Sequence, residues 1–546
     1  MTFLNKIMNK SINLIFSIAL LAITLYSCGG GSAIISTPVE NIDTAPIKEV
    51  ELTEEELKIW GHLDLVSDTV PGMSVNKAYS EIIKTKKGSK IIVAVIDTGI
   101  DIDHEDLRGV IWTNRKETPN NGKDDDKNGY IDDIHGWNFL GTAHYEQLEY
   151  VRLLASGNTT HPRFNEAKAE LDKEYQKALG SKSRTEQIIQ QVNAADKAIA
   201  NHLNKNVYTR DEVNAIKTEN QELIKHISLI KQLYSFGFDS VSQIKKELDK
   251  DLNKYIERLN FLYNKDFKGR KTGDNPNDFT QVVYGDNNVK HVKLDEDHGT
   301  HVAGIIAAKR NNGIGMNGIA NNVEIMPIRV VPNGDEYDKD VYLAIKYAVD
   351  NGAKIINTSF GKYYSPDSDK VREAIAYASQ NDVLIVNAAG NEGQDLDKKD
   401  VYPNDAIGTS KEVSNTFISV GSLYPKYGSS MIASYSNYAK INVDVFAPGS
   451  KIYSTIPGNN YGSKNGTSMA SPAVAGIAAL IMSQYPKLTA AQVKQIILDS
   501  GLPLKTKVIV AGNYYDIRPF ETLSSSGRIA NAYNALILAD SVSKSN

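Results

Sequence analysis

From about residue 60 onward the chain alternates short apolar runs with amphipathic stretches. Residues 91–96 (IIVAVI), 323–331, 354–358 (KIINT), 383–388 (VLIVNA) and 417–420 are near-continuous runs rich in β-branched residues. Such runs predict strands buried on both faces. Between and after them, residues 302–308, 341–350, 371–380, 470–482 and 490–500 have helical spacing. Strands alternating with helices predict an α/β domain built on a mostly parallel, twisted sheet with helices on both faces.

One block breaks this rhythm. Residues 145–266 are rich in Lys, Glu, Gln, Asn and Leu and sparse in Gly and Pro. Leu248, Leu252, Tyr255, Leu259 and Leu262 step by four, three, four and three, and Ile216, Leu223, Ile227, Ile230 and Tyr234 form a similar seam. These spacings predict paired helices joined near Phe236-Gly237-Phe238, the second capped by Asp239 or Ser240. Two earlier helices are expected over 163–179 and 185–203. The block reads as a helical insertion within the α/β domain, which then comprises residues 60–144 and 267–546.

At 546 residues, 41% hydrophobic and 23% charged, the composition is that of a globular protein with ample core. A net charge of −5 argues against nucleic acid as a partner. At the N-terminus, Lys6 and Lys10 precede an apolar stretch too short to span a bilayer comfortably, and Ser27 precedes Cys28. This pattern resembles a bacterial lipoprotein signal over residues 1–27, with Cys28 as the lipidated residue and 28–59 as a tether. Tyr26 is bulkier than such a motif usually carries. Cys28 is the only cysteine, so the rest of the chain has no disulfide to form. The expected location is the envelope of a bacterium, on the periplasmic face or the cell surface, with the membrane as a partner through the lipid.

Candidate chemistry begins with two histidines, His298 and His301, in DEDHGTHVAGIIAA. As a zinc site the pair falls short: it supplies two ligands where a catalytic zinc takes three, and there is no H-E-x-x-H and no further cysteine. A nucleophile is offered by NGTSMASPAVAGIAAL, where Ser468 stands just ahead of a small-residue helix and its exposed N–H groups. An α/β-hydrolase elbow needs its histidine after the serine, and no histidine follows His301. A base must therefore come from upstream. Asp97, at the end of the strand IIVAVI, can orient an imidazole from a strand's carboxyl end, where reactive groups gather in open α/β sheets.

Asp97-Thr98-Gly99, His298-Gly299-Thr300-His301-Val302-Ala303-Gly304 and Gly466-Thr467-Ser468-Met469-Ala470-Ser471-Pro472 closely resemble, in this order, the three signature segments of subtilases, the subtilisin-like serine peptidases. The resemblance covers about residues 60–144 and 267–535. It implies a serine endopeptidase acting through an acyl-enzyme on protein or peptide substrates, without a catalytic metal. His298 would be the base, Asp97 its orienting acid and Ser468 the nucleophile. Asn391, in Ala388-Ala389-Gly390-Asn391, would supply the oxyanion donor. Ser359-Phe360-Gly361 would pair with an extended substrate and, with Ala388, Ala389 and Gly390, wall the pocket for the residue before the scissile bond. Tyr402-Pro403 is expected near the base of that pocket, whose small walls would admit a sizeable apolar side chain. His301, one turn beyond His298 and aligned with Ile305, is expected to pack against the sheet. A binding protein that keeps the fold without turnover is the alternative.

An acidic loop adds a structural metal to the expectations. Asp124, Asp126, Asn128 and Asp132 occupy positions one, three, five and nine of an EF-hand-like loop with Gly129 at six, although His135 stands where the bidentate Glu would be. Closely spaced carboxylates repel without a cation, and many subtilases bind calcium, so Ca²⁺ is expected here. Many secreted subtilases also carry a long N-terminal propeptide, for which the stretch between Cys28 and the strand at Ile91 is too short. The insertion is expected to stand in for it, as a lid or a substrate-selecting surface beside the cleft.

Overall fold

The computed structural model describes residues 34, 36–39 and 50–545; the signal segment, Cys28 and most of the tether lie outside them. Nine strands form the central sheet in the order β10-β13-β7-β6-β5-β4-β1-β3-β2. They are β1 (Ile91–Asp97), β2 (Trp137–Asn138), β3 (Val323–Arg329), β4 (Ile355–Thr358), β5 (Leu384–Ala388), β6 (Phe417–Leu423), β7 (Val445–Pro448), β10 (Leu502–Pro503) and β13 (Arg528–Ile529). Every pairing is parallel except β10 with β13. The five runs singled out in the sequence are β1 and β3–β6. The α/β class with a mostly parallel sheet is thus what the chain forms.

In chain order, the helices that bear on function are α1 (Glu149–Ala155), α2 (Phe164–Leu203), α3 (Gln221–Ser235), α4 (Val241–Glu257), α5 (His298–Ala307), α6 (Asp338–Asp350), α7 (Ser368–Gln380), α8 (Thr467–Gln484), α9 (Ala490–Ser500) and α10 (Ala532–Ser545). Alternate residues of each strand feed two cores. Val93 and Val95 of β1 join α5, α8, α9 and α10 on one face, while Ala94 and Ile96 join α6 and α7 on the other. This is why the strands read as unbroken apolar runs rather than as alternating ones. Against the first face lies an antiparallel hairpin, β8 (Ile452–Ile456) with β9 (Asn460–Lys464), which leads into α8; a second antiparallel pair is β11 (Lys507–Val510) with β12 (Asn513–Pro519).

Within residues 145–266 the arrangement departs from the expected one in two ways. First, α2 runs unbroken for 40 residues through Gly180-Ser181, where a boundary between two helices is expected. A single glycine costs only about 1 kcal/mol in a helix. Here Ala178 and Thr185 on either side of it are buried, and Lys182 pairs with Glu186 at 2.7 Å. Second, α3 and α4 pack chiefly along α2 rather than on each other. Their seams converge in one cluster: Val192, Ala195 and Ile199 of α2 meet Leu223, Ile227, Ile230 and Tyr234 of α3 and Val241 and Ile244 of α4. Ser240 caps α4, its hydroxyl accepting the Gln243 N–H. The first half of α2 is held elsewhere: Ala167 and Leu171 pack with Tyr150, Tyr263 and Tyr364, and so against the α/β core.

Candidate active site

β1 ends at Asp97, a carboxylate 1% exposed that accepts the Thr98 N–H at 2.7 Å. The His298 ring, at the start of α5, reaches it through Nδ1, 2.8 Å from Oδ1 and 3.0 Å from Oδ2. The approach depends on glycine: a Cβ on Gly299 would stand 2.4 Å from the Gly99 carbonyl oxygen and 3.2 Å from the Asp97 Cβ. With Nδ1–H given to Asp97, the lone pair of the neutral ring sits on Nε2. Burial disfavours the imidazolium and so does Lys464, but the charge and hydrogen bond of Asp97 outweigh both. The His298 pKa therefore lies above its ordinary 6.5.

Ser468 occupies the first turn of α8. Its Oγ donates to the Ser359 carbonyl at 2.9 Å, and Ser359 Oγ donates to the Ser468 carbonyl at the same distance. Behind them, Asn357 Nδ2 donates to Ser359 Oγ and Ser471 Oγ donates to Asn357 Oδ1, each at 2.9 Å. The start of α8 is thereby joined to the end of β4. Asn391 joins it to the end of β5, its Oδ1 accepting from Thr467 N–H at 2.9 Å and from Thr467 Oγ1 at 3.1 Å. Turned this way, the amide leaves its NH₂ as the donor available to a ligand. β1, β4 and β5 are neighbours, with Ile96 beside Thr358 and Thr358 beside Asn387. Asp97, Ser359 and the turn carrying Asn391 thus leave the sheet at one edge, the carboxyl ends of its strands, where open α/β sheets bind ligands.

Beside Ser468 lies a pocket walled by Phe360, Gly361 and Tyr363 on one side and by Ala388, Gly390, Asn391 and Glu392 on the other, with Val401 also in its lining. Two of the expected wall residues play other parts. Ser359 is spent on the Ser468 network, and Ala389 belongs to the core behind, its carbonyl taken by Asn437 Nδ2 at 2.8 Å. Phe360 is likewise mostly core, 9% exposed. Neither Tyr402 nor Pro403 lines the pocket; Tyr402 instead exchanges backbone hydrogen bonds with Lys362 at 2.9 and 3.0 Å. Tyr363 and Glu392 were not anticipated from the sequence, and their side chains are bonded to each other, Tyr363 O–H to Glu392 Oε2. The walls are therefore not merely small.

His301 corrects a second expectation. It is fully buried but faces the hairpin rather than the main sheet, its Nε2 lying 3.0 Å from the Ile452 carbonyl and 3.1 Å from that of Gly462. The hairpin returns two bonds to the same turn of α5, Ser454 Oγ to the His301 carbonyl and Thr455 Oγ1 to that of Thr300. Burial, with Lys464 and His298 nearby, lowers its pKa to about 3, so the ring is neutral.

In the acidic loop, oxygens of Glu117, Asp124 and Asp126 lie within 4.8 Å of one another. Glu117 is 7% exposed; its Oε1 accepts the N–H groups of Asp125 and Asp126, and its Oε2 has no partner among the described residues. An orphaned buried carboxylate oxygen among two further carboxylates fits a hard cation such as Ca²⁺. Asn128 and Asp132 stand outside the trio. Asn128 Oδ1 accepts the Tyr130 N–H at 2.8 Å, and Asp132 accepts those of Asn121 and Gly122 at 3.1 and 2.8 Å. The loop's own backbone engages both side chains, as it does Asp124, which accepts the N–H groups of Asn128 and Gly129 at 3.1 and 2.9 Å. Glu117 lies upstream of the loop, where no spacing signals it.

The chain is also similar to known proteins. The chain is 42% identical over 190 residues to a thermophilic serine proteinase of Bacillus sp. (strain AK1), covering 34% of this chain and 43% of that protein. It is 39% identical over 188 residues to thermitase of Thermoactinomyces vulgaris, covering 34% and 61%. Against subtilisin DY of Bacillus licheniformis the identity is 38% over 199 residues, covering 36% and 67%. The matches thus span under two thirds of the first two relatives. Among solved structures it is similar to a protease of Pseudoalteromonas arctica PAMC 21717, at 30% identity over 44% of this chain and 70% of that one, with a TM-score of 0.35. Residues 88–515 match the subtilase family as a whole, and by that match, over well above half its length, the chain belongs to the subtilase family.

Proposed function

We propose that the chain is a serine endopeptidase that cleaves protein or peptide substrates with Asp97, His298 and Ser468. The observation that carries the reading is the Asp97–His298 pair at the end of β1, set beside a serine-bearing helix start bonded to the neighbouring strand ends. In this mechanism the Ser468 hydroxyl turns from the Ser359 carbonyl to His298 Nε2, gives up its proton there and attacks the substrate carbonyl. Asp97 holds the Nδ1–H tautomer and stabilises the imidazolium. The developing oxyanion is met by the Ser468 N–H and the Asn391 NH₂. His298 then passes the proton to the leaving amine, and water, activated by the same ring, releases the acyl group. An extended substrate lies along the segment after β4, with the side chain before the scissile bond in the pocket beside Ser468.

Two further readings accompany this one. Glu117, Asp124 and Asp126 hold a structural Ca²⁺, which supplies charge balance in the loop and takes no part in the reaction. Cys28 carries a lipid that anchors the protein in a bacterial envelope, which labelled-palmitate incorporation into wild type and into Cys28→Ser tests.

A fluorophosphonate probe tests the central reading. Wild type should label at Ser468, Ser468→Ala should not, and the labelled protein should lose peptidase activity. A folded wild type that neither labels nor cleaves would leave a binding protein on a subtilase fold as the remaining reading.

A further inference from the structure

Tyr363, on the pocket's first wall, and its two chain neighbours are each tied to the helical segment. Lys362 Nζ lies 2.6 Å from Glu149 of α1 and 2.9 Å from Asp338 of α6. The Tyr363 carbonyl accepts Arg163 Nη1, just ahead of α2, at 2.6 Å. Tyr364 donates to Glu170 of α2 at 2.9 Å, and its ring carries the Arg163 guanidinium 3.7 Å from its centroid. Glu166 holds that guanidinium in turn, with both bonds at 2.9 Å.

Tyr363 is half-buried and packs against two hydrophobic clusters, and a cavity opens beside Tyr364. Arg152, Arg163, Tyr337, Tyr364 and Tyr402 all line it. A wall backed by close-packed side chains keeps its place through packing. Tyr363 is only half-buried, so its polar ties add to that packing. Of the three tied residues, Tyr363 lines the pocket, and its hydroxyl meets Glu392 on the opposite wall. Asn437 Nδ2 donates to that hydroxyl at 3.3 Å, and Lys399 Nζ sits 4.5 Å from the ring centroid. Glu392 Oε2 also accepts the Asn391 N–H at 2.9 Å, so the bridge ends beside the proposed oxyanion donor.

We propose that the helical segment sets which side chain the pocket accepts, with Arg163 as a positioning residue that holds Tyr363 across the pocket against Glu392. The inference rests on the peptidase reading and deepens it. With the bridge closed, the pocket is short and its one carboxylate is engaged, which favours a small side chain before the scissile bond. With the bridge released, the freed Glu392 carboxylate suits a long cationic side chain.

The test uses two peptides that differ only in alanine or lysine before the scissile bond. They are assayed with wild type, Arg163→Ala, Arg163→Lys and Tyr363→Phe, each shown to be folded by circular dichroism. Wild type should prefer alanine. Arg163→Ala and Tyr363→Phe should raise the lysine-to-alanine ratio of kcat/KM about tenfold, mainly through KM for the lysine peptide. Arg163→Lys, which still reaches the Tyr363 carbonyl, should recover most of the wild-type ratio. A ratio that stays put in both Arg163→Ala and Tyr363→Phe, with wild type turning peptide over, would refute the positioning role alone. A wild type that cleaves neither peptide and resists fluorophosphonate would remove the peptidase reading, and this inference with it.

Discussion

Ser468 and Ser359 exchange hydrogen bonds, each hydroxyl donating to the other's carbonyl at 2.9 Å. The candidate nucleophile is thus held at rest by the strand end that would also receive the substrate. Ser359→Ala leaves the Ser468 carbonyl without that donor and the Asn357 amide without its acceptor, in a residue 2% exposed. Unmet buried groups of this kind cost about 1–3 kcal/mol. The expected outcome is a lower melting temperature together with a lower kcat. Unchanged values of both would show that the exchange positions nothing.

The charge of Asp97 gives the reaction a definite pH dependence. Only the neutral His298 ring can take a proton, so kcat/KM should rise with pH through a midpoint above 6.5. Asp97→Asn removes what holds the pKa up, so the midpoint should move down while the plateau falls on the order of 10⁴-fold. Stability runs the other way. A group whose pKa is raised on folding contributes fully below its unfolded value and loses that contribution as pH climbs through the folded one. A pH–rate profile paired with melting curves over the same range checks both signs.

Asn391 separates an acceptor role from a donor role. Its Oδ1 serves Thr467, while its NH₂ is the proposed oxyanion donor. Asn391→Asp keeps the first and removes the second, so it should melt like wild type. Its kcat should fall by at least about 10²–10³, the cost of one such donor, a magnitude that comes from a subtilisin. Near-normal kcat in this variant would move the oxyanion site elsewhere.

His301 is expected to matter for acid tolerance and not for chemistry. Its pKa is lowered to about 3 by burial, so it stabilises the fold fully above about 6.5 and loses that contribution as pH falls toward 3. Glutamine can offer an N–H to the same two carbonyls without titrating. His301→Gln should therefore retain turnover and flatten the decline of melting temperature between pH 6.5 and 3. The half-buried His62, also lowered to about 3, will keep part of that decline. His298→Ala, in contrast, should fold and not turn over.

Calcium should stabilise through Glu117. At a free concentration of about 100 Kd a cation bound only to the folded state adds about 2.7 kcal/mol. Melting temperature should rise with Ca²⁺, fall with chelator, and respond weakly in Glu117→Gln. Asn128→Ala and Asp132→Ala should leave Ca²⁺ affinity largely intact, although the loop's own turns will weaken. Titration calorimetry with no heat for wild type would rule the site out.

How much of this was legible from residue order varies with the range of the interaction. Strands β1 and β3–β6 were legible because burial on both faces leaves unbroken apolar runs. The hairpin β8–β9 was not: its strands are short and half polar, and its purpose, to receive His301, lies in another part of the chain. The seams of α3 and α4 were legible as periodicity, but not their partner, because a seam shows that a face is buried and not against what.

The candidate site divides in the same way. By itself the sequence determined the sheet class, the order Asp97, His298, Ser468 and the segments that carry them, because those depend on local spacing and on residue types that chemistry requires. Only the tertiary structure decided that Ser468 rests on Ser359, that Glu117 comes beside Asp124 and Asp126, and that Arg163 meets the Tyr363 carbonyl while the Tyr363 hydroxyl meets Glu392. Each of these joins residues that no local spacing relates. Such choices are made by competing partners in space, and no pattern along the chain records them.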